Sequence, residues 1–158
     1  MWISLDGYIA KTNYSTDWIA EKDFEIFDEK VQNAWCIIMW YTTFKEVWIT
    51  KWIQHIVLSS KQSHSNQENV HYCAWTQEAI EIVSSLWYTE VLIIWWGICN
   101  SSFLQAQLID EIIVDVQPVI LGKGIKIFED METYVELDFV EHQSLAWWLN
   151  ILRYRVKK

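Results

Sequence analysis

The chain has 158 residues, a length that suits one domain with one core. Its hydrophobic content of 52% is enough to bury that core, yet no apolar run approaches the roughly 18 residues of a membrane span. The net charge of −9 argues against nucleic acid as a partner, because phosphate binding needs a basic face and only Arg153, Arg155, Lys157 and Lys158 cluster.

Met1 to Ala10 carries Asp6 and no basic leader, so it does not read as a signal peptide, and a cytoplasmic enzyme or binding domain is the default expectation. Cys36, Cys73 and Cys99 form no CxxC pair and fit reduced thiols, with Cys36 and Cys99 buried and inert. His55, His64, His71 and His142 are scattered without zinc-site spacing, so no metal is expected.

In chain order, Ile3 to Ala10 reads as a first strand ending in a turn. Asp17 to Val31 has helical spacing at Trp18, Ile19, Phe24, Phe27 and Val31. Ala34 to Met39 is a short buried strand, and Thr42 or Thr43 caps a short helix through Val47. Ile53 to Leu58 is a second buried strand, Lys61 to Asn69 a polar loop, and Val70 to Cys73 a short strand. Thr76 opens a capping-box pattern, with Glu78 nearby, for a helix to about Leu86. Glu90 to Ile94 is an apolar strand, expected at the centre of the sheet. Ser101 to Gln107 is a helix and Ile109 to Val116 a strand. Gly122 and Gly124 punctuate a loop, and Tyr134 to His142 and Leu149 to Val156 alternate as two closing strands. Strands alternating with helices imply parallel pairing through crossovers, and the last two strands, with no helix between them, pair antiparallel. No linker or repeat divides residues 1–158, so a single α/β domain is expected, with a mixed sheet covered by helices on both faces.

Several segments resemble the dihydrofolate-reductase-like superfamily, in order and nearly end to end. Ser4 to Ala10, SLDGYIA, is similar to its opening strand and turn. Met39 to Phe44, MWYTTF, resembles M-G-R-x-T-[FWY], with Trp40 where glycine belongs and Tyr41 where arginine belongs. Val57 to Ser60 resembles the strand end that contacts the adenosine side of the cofactor. Ile94 to Gly97, IWWG, resembles the pyrophosphate loop I-G-G-G. Leu108 to Glu111, Pro118 to Gly124 and Phe128 resemble LIDE…PVxLGxG…F, a signature closer to the riboflavin-pathway pyrimidine reductases than to dihydrofolate reductase proper.

The resemblance implies a three-layer α/β fold with a mostly parallel central sheet and an antiparallel C-terminal strand pair. It implies an NADPH-dependent reduction of a pteridine or a ribosylated pyrimidine, in a homodimer acting on a small-molecule substrate. Dihydrofolate reductase proper, or a non-catalytic nucleotide-binding domain that kept the fold, are the alternatives. Cofactor contacts fall on Trp40, Tyr41, Thr42 and Thr43, on Ser59, Ser60 and Lys61, and on Trp95, Trp96, Gly97 and Ile98. The Ser59–Lys61 segment would hold a ribose 2′-phosphate, which favours NADPH over NADH. On the substrate side stand Asp6, at the end of the first strand, and Asp23. Asp23 lies five residues after Trp18, the offset at which dihydrofolate reductases place their active-site carboxylate. The plainer alternatives are a turn aspartate before Gly7 and an exposed helix aspartate among Glu21, Lys22 and Glu25.

The departures share a pattern. The chain holds 12 Trp and 4 Gly, where ordinary usage predicts about 11 Gly. Trp occupies three glycine positions of the family, 40, 95 and 96, and Trp48, Trp52, Trp87 and Trp148 fall at expected turns. One systematic replacement points to decoding: some bacterial lineages read UGA as glycine, other code tables as tryptophan. The expectation is that most Trp stand for glycine in the native organism, Trp18 excepted. Indoles at 95 and 96 would crowd a phosphate loop, where a strained or cis Trp95–Trp96 link and an indole in the cofactor cleft are expected.

Overall fold

The structure, a computed structural model, describes residues 1–45, 50–60, 67–94, 97–132, 134–146 and 149–158. Its contacts gather into two compact units, Met1–Glu25 with Trp96–Lys158, and Ile26–Trp95.

The first unit opens with β1 (Trp2–Ser4) and β2 (Tyr8–Ala10). The expected single strand Ile3–Ala10 is therefore broken. Gly7 sits at φ 85°, a left-handed conformation that ends the first run. The Ser4 hydroxyl then accepts a hydrogen bond from the Tyr8 amide at 2.9 Å and closes the turn. Helix α1 (Glu21–Gln32) starts later than the apolar spacing from Asp17 implied.

The second unit holds β3 (Cys36–Trp40), α2 (Tyr41–Phe44), β4 (Gln54–Leu58), β5 (Val70–Cys73), α3 (Thr76–Ser85) and β6 (Leu92–Ile93). These strands form a parallel sheet in the order β5-β4-β3-β6. A parallel sheet covered on both faces takes uninterrupted apolar runs rather than alternation. That is the pattern of Cys36–Met39 and of His55–Leu58, all buried. Ile37, Met39, Phe44, Ile53, Val57, Val70 and Ile94 form the core of this unit, each contributing about 1.5–3 kcal/mol on burial. The expectation that Glu90–Ile94 is central is not met. The strand shortens to Leu92–Ile93 and ends the ladder, pairing only with β3 among the described residues. Its half-buried side chains give way to the fully buried run of β3, which is paired on both sides.

Helix ends in this unit also differ from expectation. Trp40, not a threonine, precedes α2, and no side chain caps that helix. The expected continuation to Val47 lies outside the described residues. Trp75 caps α3 without a side-chain bond, while Glu78 reaches back to the Ala74 amide at 2.8 Å. At the far end of α3 the Tyr88 amide bonds the Val83 carbonyl and the Trp87 amide bonds the Ser84 carbonyl, a Schellman motif. Its left-handed residue is Trp87, at φ 64° and 92% exposed.

The chain then returns to the first unit with α4 (Gly97–Gln105), β7 (Glu111–Gln117), β8 (Ile125–Lys126), β9 (Leu137–Ala146) and β10 (Leu149–Val156). Helix α4 begins four residues before the expected Ser101. Gly97 allows this start because an added Cβ would collide with the Lys126 carbonyl, so the glycine lets the helix settle against that backbone. The strands form a mixed sheet ordered β1-β7-β10-β9, with β1 parallel to β7 and β9 and β10 antiparallel as expected. A separate ladder pairs β2 with β8. Cys36, Cys73 and Cys99 are free and buried, and burial pushes the Cys36 thiol up to about 11 and Cys73 up to about 12. No described helix is long and apolar enough to cross a membrane.

Candidate functional site

In the second unit, parallel pairing brings the strand ends together on one edge. Trp40 at the end of β3 is in register with Leu58 at the end of β4. Tyr41–Thr43 therefore leave the sheet beside Ser59 and Ser60, and the carboxyl edge of an open parallel sheet is where such folds place ligands. The backbone of Trp40, at φ −81° and ψ 152°, is ordinary extended chain that demands no glycine. Thr43 is buried, and among the described residues the side-chain oxygens of Thr42 and Thr43 have no hydrogen-bond partner. Ser59 is buried, and its amide bonds the Cys73 carbonyl at 2.9 Å. Tyr41, Phe44 and Tyr72 form an aromatic cluster at this edge, with ring centroids 6.1 to 6.5 Å apart. The Lys45 ammonium lies 5.6 Å from the Tyr41 ring centroid. Lys61, Trp95 and Trp96, and with them the expected Trp95–Trp96 link, lie outside the described residues.

The remaining expected cofactor residues, Gly97 and Ile98, open α4 in the first unit. Gly97 is buried, whereas Ile98 is 59% exposed. Asn100 and Ser101 on the same helix hold the segment after β8: Asn100 Nδ2 donates to the Ile127 carbonyl at 2.8 Å, and Ser101 Oγ accepts from the Glu129 amide at 2.7 Å.

Asp6 is also in the first unit, and its carboxylate is engaged on both oxygens. Oδ1 accepts from the Ser4 hydroxyl at 2.6 Å and from the Leu121 amide at 3.1 Å, and Oδ2 from the Gly122 amide at 2.7 Å. The Ser4 hydroxyl, followed by the two amides, holds the carboxyl below its usual range. This is the geometry of a clamp on the 121–122 turn, where Gly122 takes φ 72°.

Asp23 is not the exposed helix aspartate of the plainer alternative. It is 1% exposed in the first turn of α1. Its Oδ2 accepts from Gln117 Nε2 at 2.9 Å, and the same nitrogen donates to Asp115 Oδ2 at 3.0 Å. Oδ1 of each aspartate is buried and, among the described residues, has no hydrogen-bond partner. Burial, then the Asp23 charge, push the Asp115 carboxyl up to about 6. Among the described residues Asp6 and Asp23 share no hydrogen-bond partner. Sequence reasoning missed Asp115 and Gln117. The available signal was two polar residues, spaced by two, on one face of the otherwise apolar strand IIVDVQ. Asp110 and Glu111, which match the family motif, form exposed or half-exposed ion pairs with Lys158 and Arg153, both at 2.6 Å.

No protein-family profile matches the sequence, and no curated protein sequence matches it. Solved structures do match. A protein assigned to riboflavin biosynthesis from Shewanella sp. PV-4 superposes with a TM-score of 0.81 at 21% identity, covering 100% of this chain and 97% of that one. A pyrimidine reductase-like protein from Corynebacterium diphtheriae gives 0.79 at 12% identity, over 99% of this chain and 90% of that one. A diaminohydroxyphosphoribosylaminopyrimidine deaminase/5-amino-6-(5-phosphoribosylamino)uracil reductase from Thermotoga maritima gives 0.76 at 15% identity, over 99% of this chain. This chain spans 55% of that protein's length.

The chain has a dihydrofolate-reductase-like fold. Within that three-layer α/β fold, the parallel sheet carries the Thr42–Thr43 and Ser59–Ser60 edge, and the mixed sheet carries the Asp23–Gln117–Asp115 cluster.

Proposed function

We propose that this chain is an NADPH-dependent reductase acting on a pteridine or a ribosylated pyrimidine, of the riboflavin-pathway type. The observation that carries the reading is the carboxyl edge of the parallel sheet, where, among the described residues, the side-chain oxygens of Thr42 and Thr43 lack partners beside Ser59 and Ser60. Buried hydroxyls without partners fit a ligand that brings its own donors and acceptors, and ribose and phosphate groups do so. Whole-length likeness to proteins named for riboflavin biosynthesis and pyrimidine reduction supports it. When bound, the dihydronicotinamide supplies a hydride, and the chain has to position the substrate ring and manage the accompanying proton. Asp23 is the proposed substrate-side carboxylate. Asp6, engaged on both oxygens, is assigned to positioning the 121–122 turn.

The same reading places the native gene product, with glycine at most Trp positions, as the competent enzyme. Trp87, left-handed and exposed, supports that substitution, while Trp40, with ordinary extended backbone, is neutral to it. UGG codons at 40, 95 and 96 would contradict it. A second reading, a nucleotide-binding domain without catalysis, draws on the literal Trp40 side chain at the sheet edge. The homodimer belongs to the proposal as well, supported by β9, which ends its ladder with Leu137, Phe139 and Val140 exposed. Light scattering at micromolar concentration should give a dimer mass, and a monomer would remove that part.

The deciding experiment titrates NADPH and NADH into the literal chain and into the triple variant Trp40→Gly, Trp95→Gly, Trp96→Gly. The variant should bind NADPH in preference to NADH, and more tightly than the literal chain by about 2–4 kcal/mol, the scale of a steric clash with lost N–H contacts. A variant that binds neither nucleotide overturns the reductase reading.

A further inference from the structure

The cluster around Gln117 has a property that a single substrate-binding carboxylate does not need. One amide nitrogen bridges two carboxylates, donating to Asp23 Oδ2 and to Asp115 Oδ2. An amide NH₂ has two hydrogens, so both are used and the bridge is saturated. The two Oδ2 atoms consequently lie within roughly 6 Å of each other, the most that two hydrogen bonds to one nitrogen allow. Both side chains are more than nine-tenths buried, and among the described residues neither Oδ1 has a hydrogen-bond partner. Among the described residues no Lys, Arg or His side chain pairs with either carboxylate. The charged and polar groups around the pair are Asp23 from α1, Gln117 from β7 itself, the Asn150 backbone amide from β10, and the chain's amino group next to β1. That amino group is bonded to the Ile113 carbonyl at 3.0 Å.

Two like charges this close in a buried site resist ionising together, and a buried carboxylate oxygen with no donor is costly while charged. A proton on one carboxyl removes the repulsion and one of the two uncompensated buried charges. We propose that this pair, bridged by the Gln117 amide, carries one proton held on Asp115, so that Asp115 is a positioning residue for the proton beside the substrate-side carboxylate. The pair itself follows from geometry. Its role in reduction rests on the reading of Asp23 given under Proposed function. Burial and the Asp23 charge, which raise the Asp115 carboxyl, agree with it.

The test is a carboxyl-¹³C NMR titration of the full chain with labelled aspartate, across the acid and neutral range. One aspartate carboxyl should titrate well above the ordinary range. Its signal should vanish in Asp115→Asn and move down in Asp23→Asn, which removes the repelling charge. A wild-type chain in which every aspartate titrates in the ordinary carboxylate range overturns the proposal. That observation needs no variant, so poor folding of Asp115→Asn leaves the test decisive. In the reductase assay, Asp115→Asn should shift the acid limb of the pH profile with KM for NADPH unchanged. An unmoved acid limb removes the positioning role. A high-titrating carboxyl in a chain without reductase activity would overturn the functional reading and leave the shared proton standing.

Discussion

Among single residues, the most informative is Trp87, a tryptophan at an expected turn that takes a glycine-like backbone. A bulky L-residue at φ 64° pays a steric cost of roughly 1–2 kcal/mol that glycine avoids, and this side chain is too exposed to recover it by packing. Trp87→Gly should therefore stabilise the protein by about 1 kcal/mol, read as a higher urea midpoint. An unchanged or lower midpoint would show that the indole contributes to the fold. Asp115 gives a second residue-scale prediction. Its carboxyl rises from 3.8 to about 6 on folding, so the folded chain binds that proton more tightly than the unfolded chain. The resulting penalty is absent below pH 3.8, grows as pH rises, and is complete above pH 6, where it is on the order of 2–3 kcal/mol. Asp115→Asn should be close to wild type in stability near pH 4 and progressively more stable than wild type towards pH 7. A pH-independent difference in urea midpoints would contradict this. Little of this cluster was legible in the sequence. Asp23 came from its offset to Trp18, but its burial depends on a partner, Gln117, that lies 94 residues away in the chain.

At the level of elements, legibility followed burial. The runs that became β3 and β4 were readable because parallel strands, buried on both faces, stand out between turn residues. The break between β1 and β2 was legible only in part: Asp6–Gly7 is a turn pair, yet Ile3 to Ala10 reads as one strand. Gly7 ends the first run, and the Asp6 clamp on Leu121 and Gly122 holds the turn, a contact made from more than a hundred residues away. The early start of α4 was hidden for a similar reason. GICN carries no capping signal, and Gly97 is explained only by its close approach to the Lys126 carbonyl. Gly97→Ala should therefore push α4 away from β8 and cost about 1–3 kcal/mol, the usual scale of overpacking. Faster hydrogen exchange should accompany it at Ile127 and Glu129, which the helix holds through Asn100 and Ser101. A neutral Gly97→Ala would mean that the glycine serves the phosphate-loop role implied by the family resemblance and not helix packing.

For the whole molecule, the fold was readable end to end because five short motifs kept their order, and the solved structures agree over 99–100% of the chain. Fold alone does not carry an activity, and the functional reading stands on the chemistry of one sheet edge. The most direct check is hydrogen–deuterium exchange of the chain carrying Trp40→Gly, Trp95→Gly and Trp96→Gly, measured with and without saturating NADPH. The account predicts slowed exchange at Tyr41–Thr43 and Ser59–Ser60, the two segments that leave adjacent strands side by side, with little change in β9 and β10. Protection confined to other segments, or no protection at any NADPH concentration, would contradict it.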